Sequence, residues 1–274
     1  MTAPSGAVLL IGAGRMGGAL IKGWLAEARF SAVHVIEPAP SDAVKALAAA
    51  GTISLHERFE ARSLPPLEAV VLAIKPQILK GEATLLQAVG NTGALIVSIA
   101  AGITTASLGL GLGPDTRLVR AMPNTPGAIG QGITVLYADP NLKAGDRALA
   151  EALMAGLGET LWLKDEALMD AVTAVSGSGP AYVFLMAEAL AESGRAQGLD
   201  AATADRLARA TISGAGALLE ADPRPAAELR KEVTSPGGTT QAALDVLMAS
   251  DGLTELMRRA IAAATARGKQ LGKG

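Results

Sequence analysis

Short runs of apolar, β-branched residues alternate with helical periodicity through the first 164 positions, the sequence form of βαβ units and a parallel sheet. The runs predict strands at Ala7–Ile11, Ala32–Glu37, Ala69–Ile74, Leu95–Ile99, Leu118–Ala121, Ile133–Tyr137 and Thr160–Leu163. Helical spacing predicts helices over Met16–Glu27, Ser41–Ala50 and Lys143–Ala155. After Leu163 the strand pattern stops. Ala-rich segments then predict helices over Glu166–Val175, Pro180–Gln197, Ala201–Glu220, Ala226–Glu232, Thr239–Ser250 and Leu253–Leu271. The pattern therefore divides the chain into an α/β domain, 1–164, and an all-α domain, 165–274. Pro180–Gln197 is apolar around most of its circumference, and a domain this small has little interior to hide it, so an interface between subunits is expected.

Composition narrows the chemistry. Half of the 274 residues are apolar and 18% are charged, as in a globular protein rather than a disordered one. A net charge of −2 gives no electrostatic reason to expect nucleic acid or membrane partners, and few aromatics argue against base stacking. The absence of cysteine excludes disulfides, thiolate metal sites and a cysteine nucleophile. His34 and His56 are isolated at no ligand spacing, so no metal site is expected and both are read as structural or solvated. Met1–Ala7 lacks the regions of a signal peptide, and no uncharged apolar run reaches membrane length. A cytoplasmic enzyme or binding protein is the expectation.

G-A-G-R-M-G follows the first strand and opens the first helix, matching G-x-G-x-x-G through Gly12, Gly14 and Gly17. Gly12 suits the tight turn, Gly14 close approach of a pyrophosphate and Gly17 helix–strand packing, which makes the α/β domain Rossmann-type and dinucleotide-binding. Glu37 ends the second strand, where an acidic group accepts from an adenosine ribose and repels a 2′-phosphate. Ser41 and Lys45 are near enough in sequence to contact a phosphate, so NADH and NADPH both stay open. A-I-K-P-Q, Ala73–Gln77, follows a core strand, and Pro76 is expected to hold that turn extended at the crevice edge. S-I-A-A-G, Ser98–Gly102, ends the next strand with small residues that admit a ring. V-R-A-M-P-N-T-P-G, Val119–Gly127, reads equally as a ligand loop or a plain strand end. In S-G-S-G-P, Ser178 can cap the helix that Pro180 opens.

These motifs, with D-A-V-T-A-V-S-G-S-G-P-A-Y and S-P-G-G-T-T, occur in one order that resembles the pyrroline-5-carboxylate reductase family along essentially the full chain. The resemblance implies hydride transfer from NADPH or NADH to the imine of L-1-pyrroline-5-carboxylate, giving L-proline. It implies a helical dimerisation domain, dimers that can assemble into decamers, and an active site where one subunit's nucleotide domain meets the helical dimer. Cofactor would be held by Gly12, Ala13, Gly14, Arg15, Met16 and Gly17, by Ala73, Ile74, Lys75 and Pro76, and by Ala100 and Ala101. Ser235, Gly238, Thr239 and Thr240 would hold the substrate. Glu166 matches a cofactor-contact position, while Glu232 stands where some members have asparagine.

A substrate carboxylate needs fixed donors. If a helix begins at Thr239, the N–H groups of Gly238, Thr239 and Thr240 lack intrahelical partners, and Ser235 and the threonine hydroxyls add donors. Thr240 is the candidate catalytic hydroxyl beside the imine nitrogen. Two other readings fit the pattern. A β-hydroxyacid dehydrogenase of the 3-hydroxyisobutyrate type would use a helical-domain lysine, for which Lys231 is the candidate; a non-catalytic dinucleotide-binding protein would share the fold alone.

Overall fold

The computed structural model describes residues 5–79, 81–138 and 140–273, so the first four positions of the stretch read for a signal peptide, and Gly274, lie outside the described residues. Packing forms two compact units, Met1–Gly177 with Thr265–Gly274, and Ser178–Ala264. The division at 164/165 is kept as a proposal for where the nucleotide-binding and substrate roles part.

In the first unit β1 (Ser5–Ile11), α1 (Arg15–Ala26), β2 (Phe30–Ile36), α2 (Asp42–Ala49), β3 (Ser54–His56) and β4 (Leu67–Leu72) follow in order. Next come α3 (Pro76–Leu79), α4 (Ala83–Gly90), β5 (Leu95–Ser98), α5 (Thr105–Leu112), β6 (Leu118–Met122), β7 (Gly132–Ala138), α6 (Asp146–Met154), β8 (Gly158–Leu163) and α7 (Met169–Val172). The sheet order is β3-β2-β1-β4-β5-β6-β7-β8. The strands from β3 to β6 are parallel, and their order reverses between β1 and β4. β7 pairs antiparallel with β6, a correction to the all-parallel expectation, because only a short 3₁₀ turn, Thr125–Ile129, joins them.

Alternate residues of each strand feed two cores. Val8, Leu10, Val35, Val71 and Val97 pack with α1, α2 and α6, whereas Leu9, Ile11, Val70, Leu72 and Ile96 pack with α3, α4 and α5. Both faces are covered, which is why these strands read as continuous apolar runs. Trp24 anchors α1, 2% exposed, with its indole N–H donating to the Leu153 carbonyl at 2.7 Å.

The predicted helix Glu166–Val175 is instead a 3₁₀ turn, α7 and a π-turn over Thr173–Gly177. The Thr173 and Ser176 hydroxyls donate back to the Met169 and Val172 carbonyls, which competes with regular helical pairing.

The second unit contains α8 (Gly179–Ala196), α9 (Ala201–Ala221), α10 (Ala226–Glu232), α11 (Thr239–Leu247) and the first part of α12 (Leu253–Lys273). α8 packs on α9 through buried Ala191, Ala204 and Ala208. Val183, Phe184 and Leu185 of α8 stay exposed, Phe184 by 62%. The closing residues of α12 belong to the first unit: a Cβ on Gly272 would stand 3.0 Å from the Gly102 carbonyl oxygen. Among the described residues no helix is long and apolar enough to cross a membrane.

Candidate active site

The switch point of the sheet falls where β1 and β4 end, at Gly12 and Ala73, and the Ala73 N–H donates to the Ile11 carbonyl at 2.8 Å. Gly12 has φ +98°, and a Cβ there would meet the Ala73 carbonyl oxygen at 2.8 Å. A Cβ on Gly17 would stand 2.2 Å from the Gly12 carbonyl oxygen, so only glycine lets α1 approach the turn. At Gly14 the same test meets nothing within 4 Å. Gly14 is the N-cap of α1 without a side-chain cap, and the N–H groups of Arg15, Met16 and Gly17 have no backbone acceptor. A helix start with open donors, fronted by a glycine facing free space, fits a pyrophosphate.

A cavity of about 660 Å³ brings Gly12, Gly14, Glu37, Ala73, Ile74 and Lys75 together. A second, of about 590 Å³, is lined by Ala13, Arg15 and again Glu37. Glu37 lies one residue beyond β2. Its Oε2 accepts the Ala13 N–H at 2.8 Å and its Oε1 accepts the Ala39 N–H at 3.1 Å. Sequence reading missed Glu57, Phe59, Glu82 and Leu85, which also line the first cavity. They belong to the region of β3 and α4, elements that carry weak patterns.

The remaining cofactor candidates sit differently. Pro76 does not hold an extended turn; it opens α3, whose first amides at Ile78 and Leu79 bond to the Lys75 carbonyl, and a proline is suited to a first helical position. Met16 is partly buried against the core. Ala100 is buried with its N–H on the Ser98 hydroxyl, Ala101 is exposed, and neither lines the cavity.

The Asn124 side-chain oxygen is engaged within the protein, accepting the Ile133 N–H at 3.0 Å. Glu166 is engaged within the protein. Its oxygens accept the Thr105 N–H and hydroxyl, each at 2.8 Å, and the guanidinium of buried Arg120 at 3.0 Å. Ser178 makes no cap bond, because its αR backbone continues the preceding π-turn and keeps its hydroxyl from the helix amides.

The histidines are not isolated. β3, unpredicted, pairs with β2 and brings His56 Nε2 to 3.3 Å from His34 Nδ1 with the rings stacked. Burial first, and the neighbouring His56 second, lower the His34 pKa below 6.5. Among the described residues no cluster of three or more metal-ligating side chains occurs.

In the second unit, Ser235-Pro236-Gly237-Gly238 is a type II turn: Gly237 has φ +69° and the Gly238 N–H donates to the Ser235 carbonyl at 3.0 Å. Gly238 therefore cannot offer the free N–H expected of it. Gly238 is the N-cap of α11, with no side-chain cap, and its carbonyl accepts the Ala242 N–H. The open backbone donors are those of Thr239, Thr240 and Gln241. Thr240 is half-buried; Ser235 and Thr239 are exposed. Glu232, at the end of α10, is gripped by Arg224, whose hydrogen bonds and charge hold its carboxyl below the usual range.

Two family models match the chain: pyrroline-5-carboxylate reductase dimerisation over residues 166–271, and NADP oxidoreductase, coenzyme F420-dependent, over residues 7–102. A pyrroline-5-carboxylate reductase of Pseudomonas aeruginosa is 40% identical over 96% of this chain and 96% of its own length. The solved pyrroline-5-carboxylate reductase of Coxiella burnetii superposes with a TM-score of 0.89 at 34% identity, covering 97% of this chain and 98% of that one. The Plasmodium falciparum pyrroline carboxylate reductase, solved with NADP bound, gives a TM-score of 0.78 at 26% identity over 97% and 98% of the two chains.

Proposed function

The chain belongs to the pyrroline-5-carboxylate reductase family, and from that premise we propose that it reduces the C=N bond of L-1-pyrroline-5-carboxylate to L-proline, the last step of proline biosynthesis, with NADPH or NADH. The observation that carries the reading of the substrate site is the type II turn that ends at an uncapped helix start, with three neighbouring amides open. A carboxylate suits such donors, each charge-assisted bond contributing about 1.5–3 kcal/mol. Thr239, Thr240 and the Ser235 hydroxyl then hold the substrate, and Gly238 contributes the turn rather than a donor.

Bound NAD(P)H supplies the hydride. Open N–H groups of Arg15, Met16 and Gly17, with Gly14 in free space beside Gly12 and Ala13, support a pyrophosphate at α1; Glu37 supports the adenosine ribose and the Ala73–Lys75 turn the nicotinamide side. Pro76, which opens α3, and Ala100 and Ala101 are assigned to the cofactor on the family likeness alone.

The imine accepts hydride better when protonated. Thr240 is assigned to hydrogen-bond beside its nitrogen, with the proton arriving from solvent or a hydroxyl relay. Thr240→Val keeps the shape and removes the hydroxyl; turnover falls about 10- to 100-fold if the role is right, and unchanged turnover removes it. Initial rates with pyrroline-5-carboxylate and each dinucleotide test the activity itself, and no oxidation of either would overturn the reading. The exposed apolar face of α8 supports a homodimer, with decamers built from dimers in the cytoplasm as the family-based extension.

A further inference from the structure

The ribose of a dinucleotide bound at α1 would lie by the end of β2, where Glu37 stands. Both of its oxygens are already anchored, one on the Ala13 N–H and one on the Ala39 N–H. Each carboxylate oxygen has two lone pairs, so one on each is left to accept a ribose hydroxyl. The 2′- and 3′-hydroxyls of NADH are donors and match this. A 2′-phosphate presents only anionic acceptors. An unanchored glutamate could swing away from it; this one would break two charge-assisted bonds to do so.

In the first cavity the surrounding charges do not compensate. The 660 Å³ cavity is lined by Glu37, Glu57 and Glu82 against Arg58 and Lys75, and Arg58 is paired with Glu60 at 3.5 Å. Lys45 is paired with Asp42 at 3.3 Å. The opposing cations are Arg15 and Lys22, in the second cavity that Glu37 also lines.

We propose that the anchored Glu37 carboxylate makes this chain select NADH over NADPH, an inference that rests on the dinucleotide-binding reading above. The test is equilibrium binding without substrate. Dissociation constants for NADH and NADPH are measured by nicotinamide fluorescence, and 5′-AMP and 2′-AMP compete as probes of the phosphate position. The wild type is expected to bind NADH at least about 10-fold tighter, with the preference shrinking as salt rises. Glu37→Gln keeps the size and an acceptor but removes the charge, so the ratio should close mainly through a gain in NADPH and 2′-AMP affinity.

Equal or tighter NADPH binding by the wild type overturns the proposal without reference to any variant, as does a ratio unmoved in Glu37→Gln. An NADPH preference that vanishes in Arg15→Ala assigns selection to Arg15 and also overturns it. Failure to bind either dinucleotide removes the cofactor reading together with this one. Selective NADH binding without turnover of pyrroline-5-carboxylate leaves Glu37 selecting while the reductase reading falls.

Discussion

Alanine at Gly17 and alanine at Gly14 should produce opposite kinds of damage. At Gly17 the new Cβ would lie 2.2 Å from the Gly12 carbonyl oxygen, 3.1 Å from its carbon and 3.3 Å from Leu10 Cδ2. Relief to an ordinary contact requires a shift of about 1 Å between α1 and the turn, since comfortable carbon contacts lie near 3.5–4.0 Å. Overpacking of this kind costs about 1–3 kcal/mol. At about 2–4 °C per kcal/mol for a unit of this size, the melting temperature should fall by about 2–12 °C. The displaced amides should also cost about 100-fold in turnover. At Gly14 the backbone, φ −65° and ψ −161°, is one any residue adopts and no atom lies within 4 Å. Gly14→Ala should therefore melt like the wild type while losing at least about 10-fold in dinucleotide affinity, because its methyl occupies the phosphate approach. Circular-dichroism melts and NADH fluorescence titrations read the two effects. Equal destabilisation by both substitutions, or unchanged NADH binding in Gly14→Ala, would refute the assignment of one glycine to packing and the other to ligand approach.

The substrate turn yields a related prediction: Gly237→Ala must place a Cβ at φ +69°, costing about 1 kcal/mol, and should raise KM for pyrroline-5-carboxylate more than it lowers kcat. His34 has a native pKa below the unfolded 6.5, so the unfolded chain binds more protons just under that pH. Its stabilising contribution is thus complete above about pH 6.5 and is lost as pH falls toward the lowered native value; urea melts of His34→Gln should show a shallower acid decline. If the proposed α8 interface joins two copies, Phe184→Asp should lower the molar mass in light scattering, and an unchanged mass would remove that face from the interface.

Elements buried on both faces were legible because they need apolar side chains at every position, as Val8–Ile11 and Val70–Leu72 have. β3 was not, since Ser54-Leu55-His56 is three residues paired to one neighbour and carries no run. α5 was hidden by Gly109 and Gly111, poor helix formers. Gly111 eases the packing of α5 on α4, since a Cβ there would stand 2.8 Å from Leu86 Cδ1 and 3.1 Å from Leu86 Cβ. The glycine motif was readable because backbone freedom is written into residue type. The Glu37 anchor was not, because it joins positions 24 apart through tertiary pairing. The spent N–H of Gly238 could have been read: Ser-Pro-Gly-Gly is a type II turn signature, and such turns consume the fourth amide.

Because Thr265–Gly274 packs with the first 177 residues, the nucleotide unit is discontinuous in sequence. During synthesis its sheet can form early, but the segment that meets Gly102 emerges only after 178–264 have been made. At about 5–20 residues per second this is a wait of about 4–17 s. The last unit to begin folding is therefore the first that can finish, and a shortened chain ending at residue 177 would be an unfinished domain rather than a small one.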